Sequence, residues 1–294
     1  MSSLQVYLMA IGANLTFSTA SMFFSIYSTR FNPVWMGTVK VTFAMLAFII
    51  AMLLSGQMNS VPLSALALLF FSGLGGLCGG DIFLFKAFTT LGAGRTLVMF
   101  SFEPLMLGLY GYFFLNQVFS VNQILAVMCM VVCIYIFMLE RSKQTGSWDF
   151  KSFVWAFTGI TLDAVGVMMT RSAFEISPGL ETFQVNVIRC AGALVGFLII
   201  SPKIFVQFPK DIWNFNLRDK VTIVGASVGG CFISLALYLA ALKYAHVGTL
   251  TAISITGPVW VALLESIYFK RWPNRYLVGA FIFFLMGFYL MVIA

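Results

Sequence analysis

The sequence predicts an all-α integral membrane protein, and composition is the first observation that supports this fold class. Of the 294 residues, 61% are hydrophobic and only 9% are charged. These are too few polar side chains to cover the surface of a soluble domain of this size. Ten helices of about 22 residues, each long enough to cross a bilayer, would use most of the chain. This excludes a separate catalytic or nucleic-acid-binding domain.

The spacing of the apolar runs is the second observation. Short polar or Gly/Pro segments divide the chain into ten predicted membrane-spanning helices. These lie near 4–27, 34–54, 63–87, 94–115, 120–139, 153–170, 182–201, 221–242, 248–269 and 276–293. A polar segment, Glu140 to Lys151, falls near the midpoint. The predicted organisation is a first unit at 1–139, a connecting loop at 140–152 and a second unit at 153–294.

Similarity between the two halves is the third observation. A shift of 154 residues, without a gap, superposes Gly75 on Gly229 and Pro104 on Pro258. Duplicated units are common in multi-span carriers. Because each predicted unit has five helices, an odd number, the second must enter the membrane in the opposite direction to the first. The sequence therefore predicts ten transmembrane helices arranged as two inverted five-helix repeats.

The positions of the cysteines and the histidine do not indicate a metal site, a cofactor site or a set of disulfides. The five cysteines all lie in apolar runs, where a thiol acts mainly as a small hydrophobic group. The only histidine, His246, is distant in sequence from the pair Cys129 and Cys133, so no metal-ligand spacing appears. We therefore expect no cofactor, no metal, no catalytic residue and no enzymatic activity.

Ionisable residues within predicted spans are the main candidates for function. They are Asp81, Glu103, Asp163, Glu265, Lys40, Lys86 and Arg189. A charge at mid-membrane costs roughly 2.5 to 3.5 kcal/mol on insertion scales, so each should face a cavity or a partner. Glu103 is the first candidate, because Pro104 beside it should bend the helix and expose a carbonyl. A purely structural kink is the alternative.

Asp81 and Lys86 are two further candidates for substrate binding. Lys86 follows Asp81 by five positions, about 140° around the helix, so the two need different partners. Asp81 could bind a substrate amine, and Lys86 a carboxylate or phosphate. The alternative is that Gly76 and Gly80, before Asp81, serve only close helix packing.

Structural roles are the simpler interpretation for the four other ionisable residues within the predicted spans. Asp163 and Arg189 lie on consecutive predicted helices, and we expect them to form an ion pair. Lys40 and Glu265 lie nearer to helix ends, where the side chains should reach the interface.

Aromatic residues make up 16% of the chain, and most should face lipid or fill gaps between helices. Trp260, two residues after Pro258, and Tyr238 are the better candidates for lining a cavity. Each combines an apolar ring with one polar tip, which suits an amphipathic metabolite. Core packing is the alternative for both.

The segment Gly94 to Leu105, with Glu103-Pro104 inside it, resembles the fourth helix of EamA-like carriers of the drug/metabolite transporter superfamily. Its second-half counterpart is Thr256-Gly257-Pro258-Val259. The last predicted helix, with glycines eight positions apart, also resembles that of the family. The resemblance implies a transporter of small metabolites, with amino acids or related compounds as leading substrates.

Two features depart from the family pattern. The Gly-Glu pair usual at the ends of the fourth and ninth helices is replaced by Asn116-Gln117 and Lys270-Arg271. Glu103 has no acidic counterpart in the second half, where Gly257 stands. The resemblance therefore indicates the fold more strongly than it indicates the substrate or the coupling mechanism.

Loop charges and the resemblance disagree about orientation. Twelve basic residues follow odd-numbered predicted helices and two follow even-numbered ones, which places both termini outside the cell. The resemblance implies both termini inside, in the cell (inner) membrane. The two sets are Arg30, Arg95, Arg141, Lys143, Lys151, Lys203, Lys210, Arg218, Lys220, Lys270, Arg271 and Arg275 against Arg171 and Lys243.

The sequence as a whole favours a secondary transporter that works by alternating access. Asp81 and Glu103 are the predicted sites of proton coupling, and Pro104 and Pro258 the predicted hinges. The expected partners are a small-molecule substrate, protons and the lipid bilayer, without nucleic acid, for a monomer or homodimer. The alternatives are an integral membrane enzyme acting on a lipid and a passive channel. A single histidine disfavours the enzyme, and scattered charges disfavour a continuous polar pore.

Overall fold

The computed structural model describes residues 3–56, 58–100, 103, 121–145, 150–244, 256–268, 270 and 275–292. These residues form helices and short connections, and no strand occurs among them. A helix satisfies its own backbone hydrogen bonds, as a chain in lipid requires. The α-helices are α1 (Ser3–Ser28), α2 (Pro33–Ser55), α3 (Leu63–Ser72), α4 (Asp81–Met99), α5 (Val121–Thr145), α6 (Phe150–Ile176), α7 (Thr182–Ile200), α8 (Pro202–Asn214), α9 (Leu217–Ser227), α10 (Ser234–Tyr244), α11 (Thr256–Tyr268) and α12 (Arg275–Val292).

Six helical segments of the described chain are long and apolar enough to cross a membrane. They are Gln5–Ser28, Pro33–Ser55, Leu63–Met99, Phe150–Ile176, Thr182–Ile200 and Leu217–Tyr244. α12 matches the predicted tenth span, and α11 lies within the predicted ninth. α5 contains most of the predicted fifth span but continues to Thr145, into the predicted connecting loop. The all-helical membrane fold is confirmed. The number ten stays a prediction, because most of the predicted fourth span lies outside the described residues.

The boundary between the third and fourth predicted spans lies at Gly92. The helical segment Leu63–Met99 continues past residue 87, the predicted end, and is interrupted where Gly92 adopts φ 80° and ψ 172°. This backbone conformation is essentially restricted to glycine. Immediately afterwards, the Gly94 N–H donates a hydrogen bond to Glu265 Oε1 at 3.2 Å. A carboxylate from the second half therefore stabilises the start of the next helical turn.

The predicted loop from Pro202 to Lys220 contains a helix, α8, that the span prediction missed. Pro202 begins it, at a position where the absent N–H is not needed. Trp35 on α2 donates from Nε1 to Asp211 Oδ2 at 3.0 Å, which ties α8 to the start of α2. The segment is shorter than a membrane span and strongly amphipathic, so a search for long apolar runs does not find it.

Helices from the two halves pack against each other reciprocally. α1, the first helix of the first repeat, packs against α10 in the third helix of the second. In the same way, α6 packs against α3, and α2 packs against α7, its own counterpart. A twofold relation between two repeats produces this pattern of exchanged and self-matched contacts.

The third helix of each repeat carries the same backbone irregularity. π-Helical segments occur at Gly73–Gly80 and at Val228–Ile233, and the 154-residue shift places the first on residues 227–234. π-Helical turns are rare, so two at matching positions strongly support an internal repeat.

Contacts at the helix ends show that α1 and α6, the first helices of the two repeats, run in opposite directions. The Tyr27 hydroxyl, at the end of α1, donates to Asp219 Oδ1 at 2.5 Å, at the start of α9. Arg171 Nη1, near the end of α6, donates to the Leu242 carbonyl at 2.6 Å, at the end of α10. α9 and α10 belong to one continuous rod, Leu217–Tyr244. α1 is therefore antiparallel to this rod and α6 is parallel to it.

Glycines bring the two repeats into backbone contact. A Cβ placed on Gly80 would lie 3.1 Å from the Gly159 carbonyl oxygen, and one on Gly166 would lie 3.0 Å from the Ser72 carbonyl oxygen. The close-packing interpretation of Gly76 and Gly80 is supported, since a Cβ on Gly76 would lie 3.6 Å from the Gly166 Cα. Small residues allow such approach between membrane helices.

Replacing Gly73 by alanine should destabilise the fold, because the new Cβ would overlap the Arg189 backbone carbonyl. We expect a loss of about 1–3 kcal/mol, typical of an overpacked core. Gly75→Ala is the matched control, since a Cβ there meets no atom within 4 Å. Thermal unfolding in detergent should show a lower Tm for Gly73→Ala alone. Equal melting of the two variants would contradict this packing.

Candidate functional site

A cavity of about 90 Å³ lies between helices of the two repeats. It is large enough for several waters or a small ligand. Side chains from α1, α6, α7, α10 and α11 line it, together with the end of α4 and Glu103. The lining residues are Ala13, Asn14, Phe17, Ser18, Leu97, Phe100, Glu103, Asp163, Val167, Arg189, Ser234, Leu235, Tyr238, Gly257 and Pro258.

Glu103 and Tyr238, two of the predicted site residues, meet in this cavity. The Tyr238 hydroxyl donates a hydrogen bond to the Glu103 carboxylate. Glu103 belongs to the first repeat and Tyr238 to the second, so the bond joins the two repeats. Pro258 also lines the cavity, whereas Pro104 lies outside the described residues.

Among the described residues that line the cavity, Arg189 is the cation, and only 1% of its surface is exposed. Its Nε donates to Ser72 Oγ at 3.0 Å, and Ser72 Oγ in turn donates to the Gly166 carbonyl at 2.7 Å. Its Nη1 is buried without a hydrogen-bond partner among the described residues. A buried, unsatisfied donor is costly, so this guanidinium retains capacity to bind a further acceptor.

Asp163 and Arg189 do not form the predicted direct ion pair. Ion pairs within 4 Å in the described chain include Lys40–Asp81 and Arg95–Glu140, but not Asp163–Arg189. The two side chains line the same cavity and their opposite charges attract across it. Arg189 bonds Ser72 through Nε rather than Asp163.

Asp81 forms a bidentate ion pair that the sequence did not predict. Lys40 Nζ lies 2.7 Å from Asp81 Oδ1 and 2.8 Å from Oδ2, and both side chains are buried. The ammonium also lies 5.7 Å from the centre of the Phe85 ring. The expectation that Lys40 reaches the membrane interface is therefore wrong. Asp81 stays near the candidate site, with both its oxygens bonded to Lys40.

The ion pair lines a smaller compartment of about 50 Å³ that adjoins the cavity. Phe17, Phe100, Asp163 and Leu235 line both spaces, so Asp163 stands at their boundary. Together the two compartments contain three described acids, Asp81, Glu103 and Asp163, and two described bases, Lys40 and Arg189. The described lining thus has one more acid than base.

Lys86 and Trp260 do not line the cavity. Lys86 is half-buried between rings, 5.2 Å from the centre of Phe83 and 5.9 Å from that of Trp155. Trp260 is 36% exposed and donates from Nε1 to Thr19 Oγ1 at 3.0 Å. The helical periodicity that separates Lys86 from Asp81 directs it to the other side of α4. Neither residue is placed to bind a ligand in this cavity.

A model of the EamA-like transporter family matches residues 4–139 and 150–293. The chain belongs to the EamA-like transporter family. Its membership makes this a multi-pass membrane protein of the drug/metabolite transporter superfamily, built as two repeats. The site at the junction of the repeats is therefore the candidate transport site of an EamA-like transporter.

A solved structure, titled only as the crystal structure of a protein, supports the same fold for this EamA-like chain. The TM-score is 0.70 at 17% sequence identity, over 99% of this chain and 98% of the other. An identity this low supports the fold alone. No curated protein matches the sequence.

Asn14 and Lys40 are site residues of this EamA-like protein that the sequence prediction missed. A shift of 149 residues aligns Asn14 with Asp163 and Lys40 with Arg189. Lys40 and Arg189 are each the eighth residue of their helices, α2 and α7. A comparison of the two halves contains this correspondence, but only at a shift of 149 residues rather than the 154 that aligns the glycines and prolines.

Removing one partner of the Lys40–Asp81 ion pair should destabilise the protein more than replacing both partners by apolar residues. Lys40→Met leaves the Asp81 charge buried and unpaired, which should cost about 3–5 kcal/mol. The double variant Lys40→Met/Asp81→Leu should be more stable than Lys40→Met, because no charge remains unpaired. A double-mutant cycle from denaturation curves measures the coupling. Purely additive losses would contradict a direct pair.

Proposed function

We propose that this protein is a secondary transporter of a small zwitterionic metabolite, an amino acid or a related compound, in the cell (inner) membrane. Family membership supplies the transporter class. The observation that carries the substrate class is that two opposite charges, Arg189 and Asp163, line one cavity between the repeats without pairing directly with each other. Arg189 Nη1 also has no hydrogen-bond partner among the described residues. A zwitterion bound there would neutralise both.

Each part of an amino acid has a suitable partner in this cavity. A guanidinium binds carboxylates through directed N–H donors, so Arg189 suits the substrate carboxylate. Asp163 suits the ammonium group. Phe17, Leu97 and Val167 offer apolar surface to a side chain. The volume favours small substrates over large ones.

Glu103 is the proposed proton carrier. The described lining has one more acid than base, and an uncompensated carboxylate in the membrane interior is costly. A proton on Glu103 would remove that charge whenever no cationic group occupies the cavity. Because Tyr238 bonds Glu103 across the repeat boundary, gain or loss of the proton would also change a contact between the moving units.

The proposed mechanism is alternating access, which the opposite directions of α1 and α6 support. If the two repeats exchange conformations, a cavity open to one side becomes open to the other. We propose Pro104 and Pro258 as hinges in the fourth and ninth helices. The π-helical segments around Gly75 and Gly229 are proposed sliding points, since a Cβ on either glycine would meet no atom within 4 Å.

Asp163→Asn should weaken substrate recognition without unfolding the protein. We expect apparent affinity in liposome counterflow to fall about ten- to a hundredfold, the value of one charge-assisted hydrogen bond. Lys86→Gln is the control, since it also changes one charge on a membrane helix but lies outside the cavity. Unchanged affinity in Asp163→Asn would exclude Asp163 from recognition.

Counterflow also distinguishes the classes of function. Saturable exchange of labelled amino acid is the expected result. Linear, non-saturable flux would indicate a channel, and chemical conversion of the compound an enzyme.

Glu103→Gln should abolish most of the pH dependence of uptake, because glutamine mimics the neutral acid and cannot exchange a proton. The rate with a pH gradient should approach the rate without one, while counterflow continues. The readout is uptake into proteoliposomes with and without the gradient. If the variant kept the full pH dependence of the parent protein, Glu103 would not be the proton carrier.

A further inference from the structure

The amphipathic helix α8 has a face that protein packing does not explain. Phe208 is buried, and with the half-buried Ile204 and Ile212 it packs into the core cluster that contains Trp35. These three residues define the inner face of α8. Folding alone accounts for this face, because it packs against α2 and α7.

The outward side of α8 is divided into an apolar and a cationic sector. Val206 and Trp213 are seven positions apart, so they lie within about 20° of each other around the helix. They are 70% and 81% exposed. Lys203 and Lys210 are also seven positions apart and exposed, and they lie about 60° from the apolar sector. Both sectors are about 150° from Phe208.

This three-part arrangement matches the boundary between the hydrocarbon and the headgroups of a bilayer. The inner face contacts protein, the apolar sector suits acyl chains, and the lysines lie where phosphate groups would be. Lys220 places its ammonium 5.5 Å from the centre of the Trp213 ring, which adds a further positive charge beside the aromatic residue. Tryptophan and basic residues are both typical of this depth.

We propose that α8 is a binding surface for anionic phospholipid. Val206 and Trp213 enter the acyl layer, and Lys203 and Lys210, about 10 Å apart along the helix, bind phosphate-bearing headgroups. Charge complementarity selects an anionic lipid over a zwitterionic one. This surface is separate from the transport cavity. The proposal therefore does not depend on which substrate the cavity binds.

The surface is linked to the site through α2. Asp211 of α8 accepts the hydrogen bond from Trp35, five residues before Lys40 on the same helix. Lipid that holds α8 in place therefore also fixes the start of the helix that carries one half of the central ion pair.

Lipid binding can be measured on the full-length protein by native mass spectrometry with phosphatidylglycerol and phosphatidylcholine. The test variant is Lys203→Gln/Lys210→Gln. The matched control is Lys151→Gln/Lys270→Gln, which removes two exposed lysines elsewhere. We expect phosphatidylglycerol affinity to fall on the order of 30-fold in the test variant only, as for two surface cations. Phosphatidylcholine binding should be similar in all three proteins.

A second measurement tests the apolar sector. The protein is placed in vesicles with equal parts of phosphatidylcholine and phosphatidylglycerol. The Trp213 fluorescence is the difference between the emission of the parent protein and that of Trp213→Phe, and acyl-brominated lipid should quench it.

Equal loss of phosphatidylglycerol binding in the test and control variants would show that only general surface charge matters, and would overturn the proposal. Unchanged binding in the test variant, or a Trp213 signal insensitive to brominated lipid, would overturn it as well.

Discussion

The cost of placing charge inside a bilayer organises this molecule. Each ionisable side chain in a span must find a partner, a cavity or an interface, because hydrocarbon offers none of the hydrogen bonds that water supplies. Lys40 and Asp81 satisfy this requirement directly through their ion pair. Arg189 and Asp163 satisfy it only in part, by lining a common cavity. The first pair therefore has a structural role, whereas the second retains the capacity to bind a ligand.

Glycine packing makes that site possible. The backbone contacts between Gly80 and Gly159, and between Ser72 and Gly166, bring α3 and α4 of the first repeat against α6 of the second. Ser72, held by the Gly166 carbonyl, then orients Arg189. Close packing at one face of α6 therefore fixes the guanidinium, while Asp163 on the same helix is left to line the space beyond. Stability and recognition depend on the same crossing of helices.

Hydrophobicity and the repeat relation predicted most of the fold, since a bilayer leaves few alternatives to apolar helices. They did not predict α8, because a short amphipathic helix has no long apolar run. They extended the third span only to residue 87, because a break that depends on the φ angle of Gly92 leaves no hydrophobic signal.

At the site, the intramembrane charge rule selected Asp81, Glu103, Asp163 and Arg189, all of which line the two compartments. It could not assign partners. Lys40 bonds Asp81 instead of reaching the membrane interface. Ser72 rather than Asp163 bonds Arg189. The choice of partner depends on distances between helices that are remote in sequence. The rule also selected Lys86, since sequence position alone does not decide which side of a helix meets the cavity.

Access to the cavity from each side of the membrane tests the central claim most directly. Ser18 and Ser234 line the cavity on different repeats, and cysteine is close to serine in size. With the five native cysteines replaced, Ser18→Cys or Ser234→Cys in oriented vesicles should react with a membrane-impermeant thiol reagent from either side. Bound substrate should protect both cysteines from the reagent. Conditions that speed the reaction from one side of the membrane should slow the reaction from the other side. Reaction from one side only under all conditions, or simultaneous increases from both, would contradict a cavity that opens alternately between inverted repeats.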